Sequence, residues 1–233
     1  MEKKQYELCV EVLRRFDKAG ILKHVILIGS WCIPFYSDYF KDVSYGLSLR
    51  TRDLDFLVPI PAQLKNKIDL VELLKDLGFI NEFIGEGYTK LVHPELAIEF
   101  LVPEKGRGSD KPFSLSAIGV NAQQLRYLDL LSRHVIRVSK EGFTVVLPHP
   151  ALFSFHKLII ASLRKEKSKS EKDIKEAIHT LKELLNKDGS GVMYRYFQVL
   201  LPSWRKKVLK KMKEIGENEI LVVLKGKGAG IAV

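Results

Sequence analysis

The sequence predicts an α/β unit over residues 1–148, a mixed sheet flanked by helices, followed by an all-helical unit over residues 149–233. Three observations carry this. Short apolar runs rich in β-branched residues alternate with amphipathic helical stretches as far as Pro148. From His149 onward only the helical period remains, with the boundary marked by Pro148 and Pro150. The charge divides there too: residues 1–150 hold 20 Lys and Arg against 19 Asp and Glu, residues 151–233 hold 18 against 9.

Each element has its own warrant. Residues 3–19 place Tyr6, Val10, Leu13 and Phe16 at helical spacing, and Gly20 ends that helix. The run HVILI at 24–28 is a buried strand closed by Gly29-Ser30, and 31–40 is a helix with Pro34 in its first turn. A second strand at 54–58 stops at Pro59 and Pro61, and the amphipathic helix at 68–77 stops at Gly78. Strands follow at 79–84, 88–92 and, most firmly, 96–102, before an exposed loop at 103–112. A hairpin pairs 134–139 with 143–147 through Lys140-Glu141-Gly142. Helices are expected at 151–164, 170–185, 192–200 and 204–215, with a frayed end from Gly226 to Val233.

Composition excludes several classes. With 46% hydrophobic residues among 233 and apolar runs throughout, the chain is not disordered as a whole. No stretch nears the 18 or so uninterrupted apolar residues a membrane span needs. The first residues lead into a charged amphipathic segment rather than a signal peptide, so the expected address is the cytoplasm. Cys9 and Cys32 are too few for a disulfide framework or a zinc site, and read as buried thiols. The basic excess of the last third points to a polyanion partner, or else to well-solvated lysine-rich helices.

The chemistry concentrates in the first unit. In Arg52-Asp53-Leu54-Asp55-Phe56-Leu57 the two aspartates share one face of a strand while Leu54 and Phe56 face the other. Carboxylates that close repel unless a cation lies between them, and hard oxygen ligands on a stiff element suit Mg²⁺ or Mn²⁺. Glu99 is a charge in the middle of an apolar strand, LAIEFLV, where it is costly unless it faces a site. On neighbouring strands, Asp53, Asp55 and Glu99 form a cluster suited to two metal ions. Gly29-Ser30 before a helix is either a phosphate cradle or an ordinary turn and N-cap.

This arrangement of strand, Gly29-Ser30, Asp53-x-Asp55 and a later strand acid resembles the DNA polymerase β-type nucleotidyltransferase superfamily. Ile98-Glu99-Phe100-Leu101, Pro148-His149-Pro150 and His156-Lys157-Leu158 are similar to its bacterial and archaeal branch. Lys157, Arg164 and Lys172-Asp173 resemble the Lys…Arg…Lys-Asp block of abortive-infection and toxin-type nucleotidyltransferases. The resemblance spans roughly residues 20–185 and implies an α/β nucleotidyltransferase fold. It implies metal-dependent transfer of a nucleoside monophosphate from an NTP to an acceptor, with release of pyrophosphate. Gly29 and Ser30 then hold the triphosphate, Asp53 and Asp55 bind the metals, and Glu99, also in the metal cluster, activates the acceptor hydroxyl. Lys157 and Lys172 contact phosphates, and Asp173 orients a lysine or the nucleotide.

One departure stands out. Twenty-two residues separate Ser30 from Asp53, and the insert YSDYFKDVSYGLSLRT within them is either a lid or a sign that the glycine bend is misaligned. Arg50, Arg52 and the Lys105-Gly106-Arg107-Gly108 loop are candidate phosphate contacts or plain surface. Lys157 adjoins an apolar helix face and can snorkel, Lys172-Asp173 can be a charged helix surface, and His149 and His156 pack rather than ligate. The expected acceptor is RNA, tRNA-like, gripped by the basic helical unit, with a protein hydroxyl or a small molecule such as an aminoglycoside as the other acceptors open to this reading. The alternative is a non-catalytic nucleotide- or RNA-binding module on the same fold.

Overall fold

The alternating patterns of DLDFL and AIEFLVP place two strands side by side in the centre of a sheet. The computed structural model describes residues 3–41, 51–64, 67–104, 106 and 111–226. They fall into two compact units, Met1–Tyr39 with Val43–Pro148, and Phe40–Asp42 with His149–Val233.

In the first unit, α1 (Lys3–Lys18) precedes β1 (Ile26–Ile28), a 3₁₀ turn at Gly29–Trp31 and α2 (Cys32–Phe40). Next come β2 (Asp53–Leu57), α3 (Leu70–Leu74), β3 (Ile80–Ile84), β4 (Tyr88–Val92) and β5 (Ala97–Pro103). Then follow β6 (Phe113–Leu115), β7 (Val120–Leu125), α4 (Asp129–Arg133), β8 (Val135–Lys140) and β9 (Phe143–Pro148). The sheet is mixed, in the order β1-β2-β5-β4-β3. β2 and β5 run parallel; β1 and β4 are antiparallel to them. The second edge of β5 is shared, β4 pairing with Ala97–Glu99 and β7 with Leu101–Pro103. β8 and β9 form the expected hairpin.

Leu54, Phe56, Ile98 and Phe100 fill one face of the sheet and are buried. Phe16 of α1 lies on them, with ring centroids 5.2 Å from Phe56 and 6.1 Å from Phe100, while Phe56 and Phe100 stack at 5.6 Å. The buried Gln5 amide of the same helix donates to the carbonyls of Thr51 (3.0 Å) and Glu95 (2.9 Å), tying together the approaches to β2 and β5. On the opposite face Ile26, Ile28, Leu57, Leu101, Leu128, Leu131 and Val146 make a second apolar cluster. Cys9 and Cys32 are buried free thiols.

Some elements differ from the sequence expectation. The helix expected at 68–77 is shorter because the Asp69 side chain accepts from the N–H groups of Val71 and Glu72, so the helix starts after it. A 3₁₀ turn completes it, and Gly78 closes it at φ 86°. The segment 113–133, without a clear period, forms β6, β7 and α4. Of the 31–52 insert, the first part is α2 and 42–50 lie outside the described residues, as do most of the 103–112 loop's basic positions and residues 227–233.

The second unit contains α5 (Pro150–Ala161), α6 (Lys167–Gln198), α7 (Pro202–Glu214) and α8 (Asn218–Leu224). The two helices expected at 170–185 and 192–200 are continuous except at Gly189, whose φ of 80° and ψ of 174° break the helical path. α8 was not expected. A buried ionic network links α5 to α6. The Lys157 ammonium lies 2.6 Å from Asp173 Oδ1 and 2.7 Å from Glu176 Oε2, and Arg164 reaches Asp173 Oδ2 at 2.9 Å. Burial opposes the charge on Lys157, but Asp173 and Glu176 outweigh it and raise its pKa. Burial likewise opposes the Asp173 carboxylate, and Lys157 and Arg164 more than compensate, lowering its pKa.

A raised lysine stabilises the fold below the ordinary lysine value and loses that contribution only as pH climbs through its raised value. A lowered aspartate stabilises above the ordinary carboxylate range and loses that contribution as pH falls through its lowered value. The network therefore holds across neutral pH. Removing one partner leaves uncompensated buried charge, so Lys157→Met is expected to destabilise the helical unit by about 3–5 kcal/mol in urea unfolding at pH 7. The stability difference between wild type and Asp173→Asn should stay constant above about pH 5 and shrink below about pH 4. A loss under about 1 kcal/mol for Lys157→Met would show that water still solvates these charges.

Candidate active site

The residues expected to carry chemistry in the first unit meet on one face of the sheet. Across the parallel pair, Asp55 stands in register with Glu99 and Asp53 with Ala97. Ile28, the last residue of β1, is opposite Asp55, so the chain turns at Gly29 beside that carboxylate. Gly29 has φ 70°, and a Cβ built on it would lie 2.7 Å from Asp55 Oδ2. A side chain there would strain the left-handed backbone and push the Asp55 carboxylate aside. The glycine bend thus lies directly against the second aspartate. Ser30 is buried in the 3₁₀ turn that runs into α2. The Cys32 N–H is taken up by the Gly29 and Ser30 carbonyls and Pro34 has none to offer, so the first turn of α2 presents few N–H groups outward.

A residue absent from the sequence reading completes the row. Lys90 on β4 is opposite Glu99 on β5. Its ammonium contacts Glu99 Oε1 and lies 3.3 Å from Asp53 Oδ1. Burial works against the charge, yet the hydrogen bond and charge of Glu99, with the charge of Asp53, hold Lys90 above the ordinary lysine value. The signal for it was faint: in YTKLV the lysine interrupts an alternation only when the register to Glu99 is known.

The three acids expected as metal ligands are therefore interleaved with a cation. Among the described residues no three His, Cys, Asp or Glu side chains are grouped to hold a metal ion. Carboxylates on one strand face repel, and Lys90 relieves that repulsion at Asp53 and Glu99. Asp53 and Asp55 offer carboxylate oxygens from one strand face, the kind of donor a hard divalent ion takes, and Glu99 stands in register with Asp55.

Arg52 donates to the His93 carbonyl at 2.7 Å. Arg50 and the Lys105 and Arg107 positions lie outside the described residues. Lys157, Lys172 and Asp173 are brought together within the helical unit, where Lys157 is held between Asp173 and Glu176 with its side chain only 6% exposed. The snorkelling expected of Lys157 does not occur, because two carboxylates on α6 meet its ammonium inside the unit. Lys172, about one-third exposed, lies 3.9 Å from Glu176. His149 caps α5, its Nδ1 accepting from the Ala151 N–H, and stacks on Tyr196 at 3.7 Å. Burial, reinforced by the Lys157 charge, pushes the His156 pKa down to about 3, so this ring is neutral at physiological pH.

Comparison with known proteins gives the family. A family model described as nucleotidyltransferase matches residues 7–192. No curated protein matches the chain in sequence. Among solved structures, a nucleotidyltransferase-like antigenic protein from Paracoccidioides brasiliensis aligns at TM-score 0.51 and 16% identity, covering 95% of this chain and 93% of that one. The antibiotic-resistance factor ANT(2'')-Ia aligns at TM-score 0.47 and 12% identity over 94% of this chain and 98% of its own. A tRNA nucleotidyltransferase solved with a primer tRNA and an ATP analog aligns at TM-score 0.24 and 18% identity, over 91% and 62% of the two chains. The first of these likenesses shows a shared fold, and the other two carry no argument. No helix among the described residues is long and apolar enough to cross a membrane. With the family model matching well over half of the sequence, on the strands that present the paired aspartates, the chain belongs to the nucleotidyltransferases of the DNA polymerase β type, which transfer nucleoside monophosphates.

Proposed function

We propose that the chain moves a nucleoside monophosphate from an NTP to a hydroxyl of RNA, with Asp53 and Asp55 holding Mg²⁺ or Mn²⁺ and Glu99 beside them. The observation that carries this reading is the register of Asp55 with Glu99, combined with a glycine backbone seated against the Asp55 carboxylate. When bound, a pair of divalent ions supplies Lewis-acid neutralisation of the phosphate charge. The protein's part is positioning. Gly29 lets the triphosphate approach the backbone where a side chain would block it, and the Ser30 hydroxyl binds its oxygens. Glu99 takes the proton of the attacking hydroxyl, its carboxylate next to the site where the acceptor oxygen meets the α-phosphate. Pyrophosphate leaves as the new phosphodiester forms.

The helical unit supports an RNA acceptor through its charge. On α7 the exposed Lys206, Lys210 and Lys213 recur at helical spacing on the face opposite the buried Val208 and Met212. Phosphate contacts from such a stripe supply sequence-independent affinity. Lys172 belongs to the same phosphate-binding role, while Lys157 acts as a positioning residue that keeps α5 and α6 together with Asp173.

The test is incubation of the full chain with Mg²⁺ or Mn²⁺, each labelled NTP in turn, and total RNA, beside Asp53→Ala/Asp55→Ala. Label joined to RNA by wild type, and lowered at least about 100-fold in the double variant, is the expected result. RNA retention equal in both proteins, with no transfer under either metal, would instead mark a binding module. Gly29→Ala should lower transfer by about 100-fold through displacement of Asp55, while costing about 1–2 kcal/mol of stability because its φ is left-handed. Replacing Lys206, Lys210 and Lys213 with Glu should weaken RNA binding and reduce the slope of log affinity against log salt by about 2–3.

A further inference from the structure

The acid face carries a cation that nucleotidyl transfer itself does not require. Lys90 on β4 is opposite Glu99 on β5 and also opposite Glu82 on β3. Opposite residues of an antiparallel pair share a face, with Cβ atoms about 4.5–5.5 Å apart. The row Glu82, Lys90, Glu99, Asp55 therefore crosses four strands. The ammonium leans inward, onto Glu99 and to 3.3 Å from Asp53 Oδ1. Its side chain is 22% exposed and that of Glu99 19%, so water screens the contact only in part. Glu82, on the outer strand, is exposed.

Resting on the function proposed above, we infer that Lys90 is the resident counterion of this face: it neutralises Asp53 and Glu99 in the resting protein and gives way to the divalent ion, moving toward Glu82. An ammonium and a divalent ion competing for the same carboxylate oxygens repel each other at such range, and the ammonium carries the smaller charge. Metal binding and the inward position of Lys90 are thus coupled, each weakening the other by the same factor. The exchange has a consequence for the base. While the ammonium engages Glu99, that carboxylate is poorly placed to accept a proton, and arrival of the metal with its nucleotide releases it. Glu82 supplies the outward partner, so displaced Lys90 exchanges one carboxylate for another.

The experiment is Mn²⁺ titration of the full chain without nucleotide, free Mn²⁺ being read by electron paramagnetic resonance. Lys90→Gln should bind Mn²⁺ about 5–10-fold more tightly than wild type. Lys75→Gln, which removes an exposed lysine elsewhere in the unit, sets the baseline for loss of one charge and should change affinity less. Lys90→Arg, which keeps the charge, should bind no more tightly than wild type. Glu82→Gln should weaken binding about 3-fold in the wild-type background and have no effect in Lys90→Gln. In EDTA, Lys90→Gln should melt below wild type and regain more on adding Mn²⁺. Affinity in Lys90→Gln that is unchanged, weaker or no greater than in Lys75→Gln overturns the inference, as does equal tightening by Lys90→Arg. An equal Glu82→Gln effect in both backgrounds overturns the outward move. Mn²⁺ binding that survives in Asp53→Asn/Asp55→Asn, or that is absent from wild type and Lys90→Gln alike, overturns the functional reading beneath it.

Discussion

The register between β2 and β5 does two things at once. Setting Asp55 against Glu99 places acids on one face of the sheet, and the same alignment sets Phe56 against Phe100 on the other. Because side chains alternate with a period of two, a slip of one residue on either strand would put carboxylates against aromatics and acids into the core. The aromatic triangle of Phe16, Phe56 and Phe100 therefore fixes the acid face from behind. Gln5 adds a polar clamp by holding the carbonyls that lead into both strands. Burial of large apolar side chains makes this alignment far cheaper than its alternatives, and the chemistry inherits its geometry from the core.

The acid face needs its own compensation. Three carboxylates close together destabilise any fold that leaves them unneutralised. Here a lysine from the adjoining strand reaches two of them, and the third lies against a glycine whose missing side chain makes room for it. The helical unit solves a similar problem in another way. There the buried Asp173 and Glu176 are matched by Lys157, with Arg164 closing the far side of Asp173. The difference is accessibility. Lys157, Asp173 and Glu176 are at most 7% exposed, whereas on the acid face Lys90, Glu99 and Asp53 are 22%, 19% and 55% exposed.

Much of this was legible in the residues. Asp53-Leu54-Asp55-Phe56 states its two faces outright, and Glu99 announces itself as a charge inside an apolar strand. Lys90 was not legible, because its meaning depends on a cross-strand partner nine residues away whose register only the assembled sheet reveals. The strands β6 and β7 are hard to read for a related reason: FSL is only three residues long and VNAQQL ends in a polar pair, and the pairing of β7 with β5 and of β6 with β7, rather than local preference, makes them strands. Lys157 was read as a residue at the rim of an apolar face. The family resemblance implies that Asp173 orients a lysine or the nucleotide, but nothing in the residues indicates that Glu176, a turn further along α6, joins it in holding Lys157. Gly189 shows the limit of periodicity in the other direction, since residues on both sides are helical and only the backbone angles at one position separate them.

The central claim is that the paired aspartates and the glycine bend together form the place where metal and triphosphate meet. A crystal of the protein grown with Mn²⁺ and a non-hydrolysable NTP tests it most directly, because anomalous scattering locates the metal independently of the model of the protein. The account predicts anomalous peaks at the Asp53 and Asp55 carboxylates, with the triphosphate over Gly29 and Ser30. Peaks away from both aspartates, or a triphosphate bound elsewhere on the molecule, would contradict it.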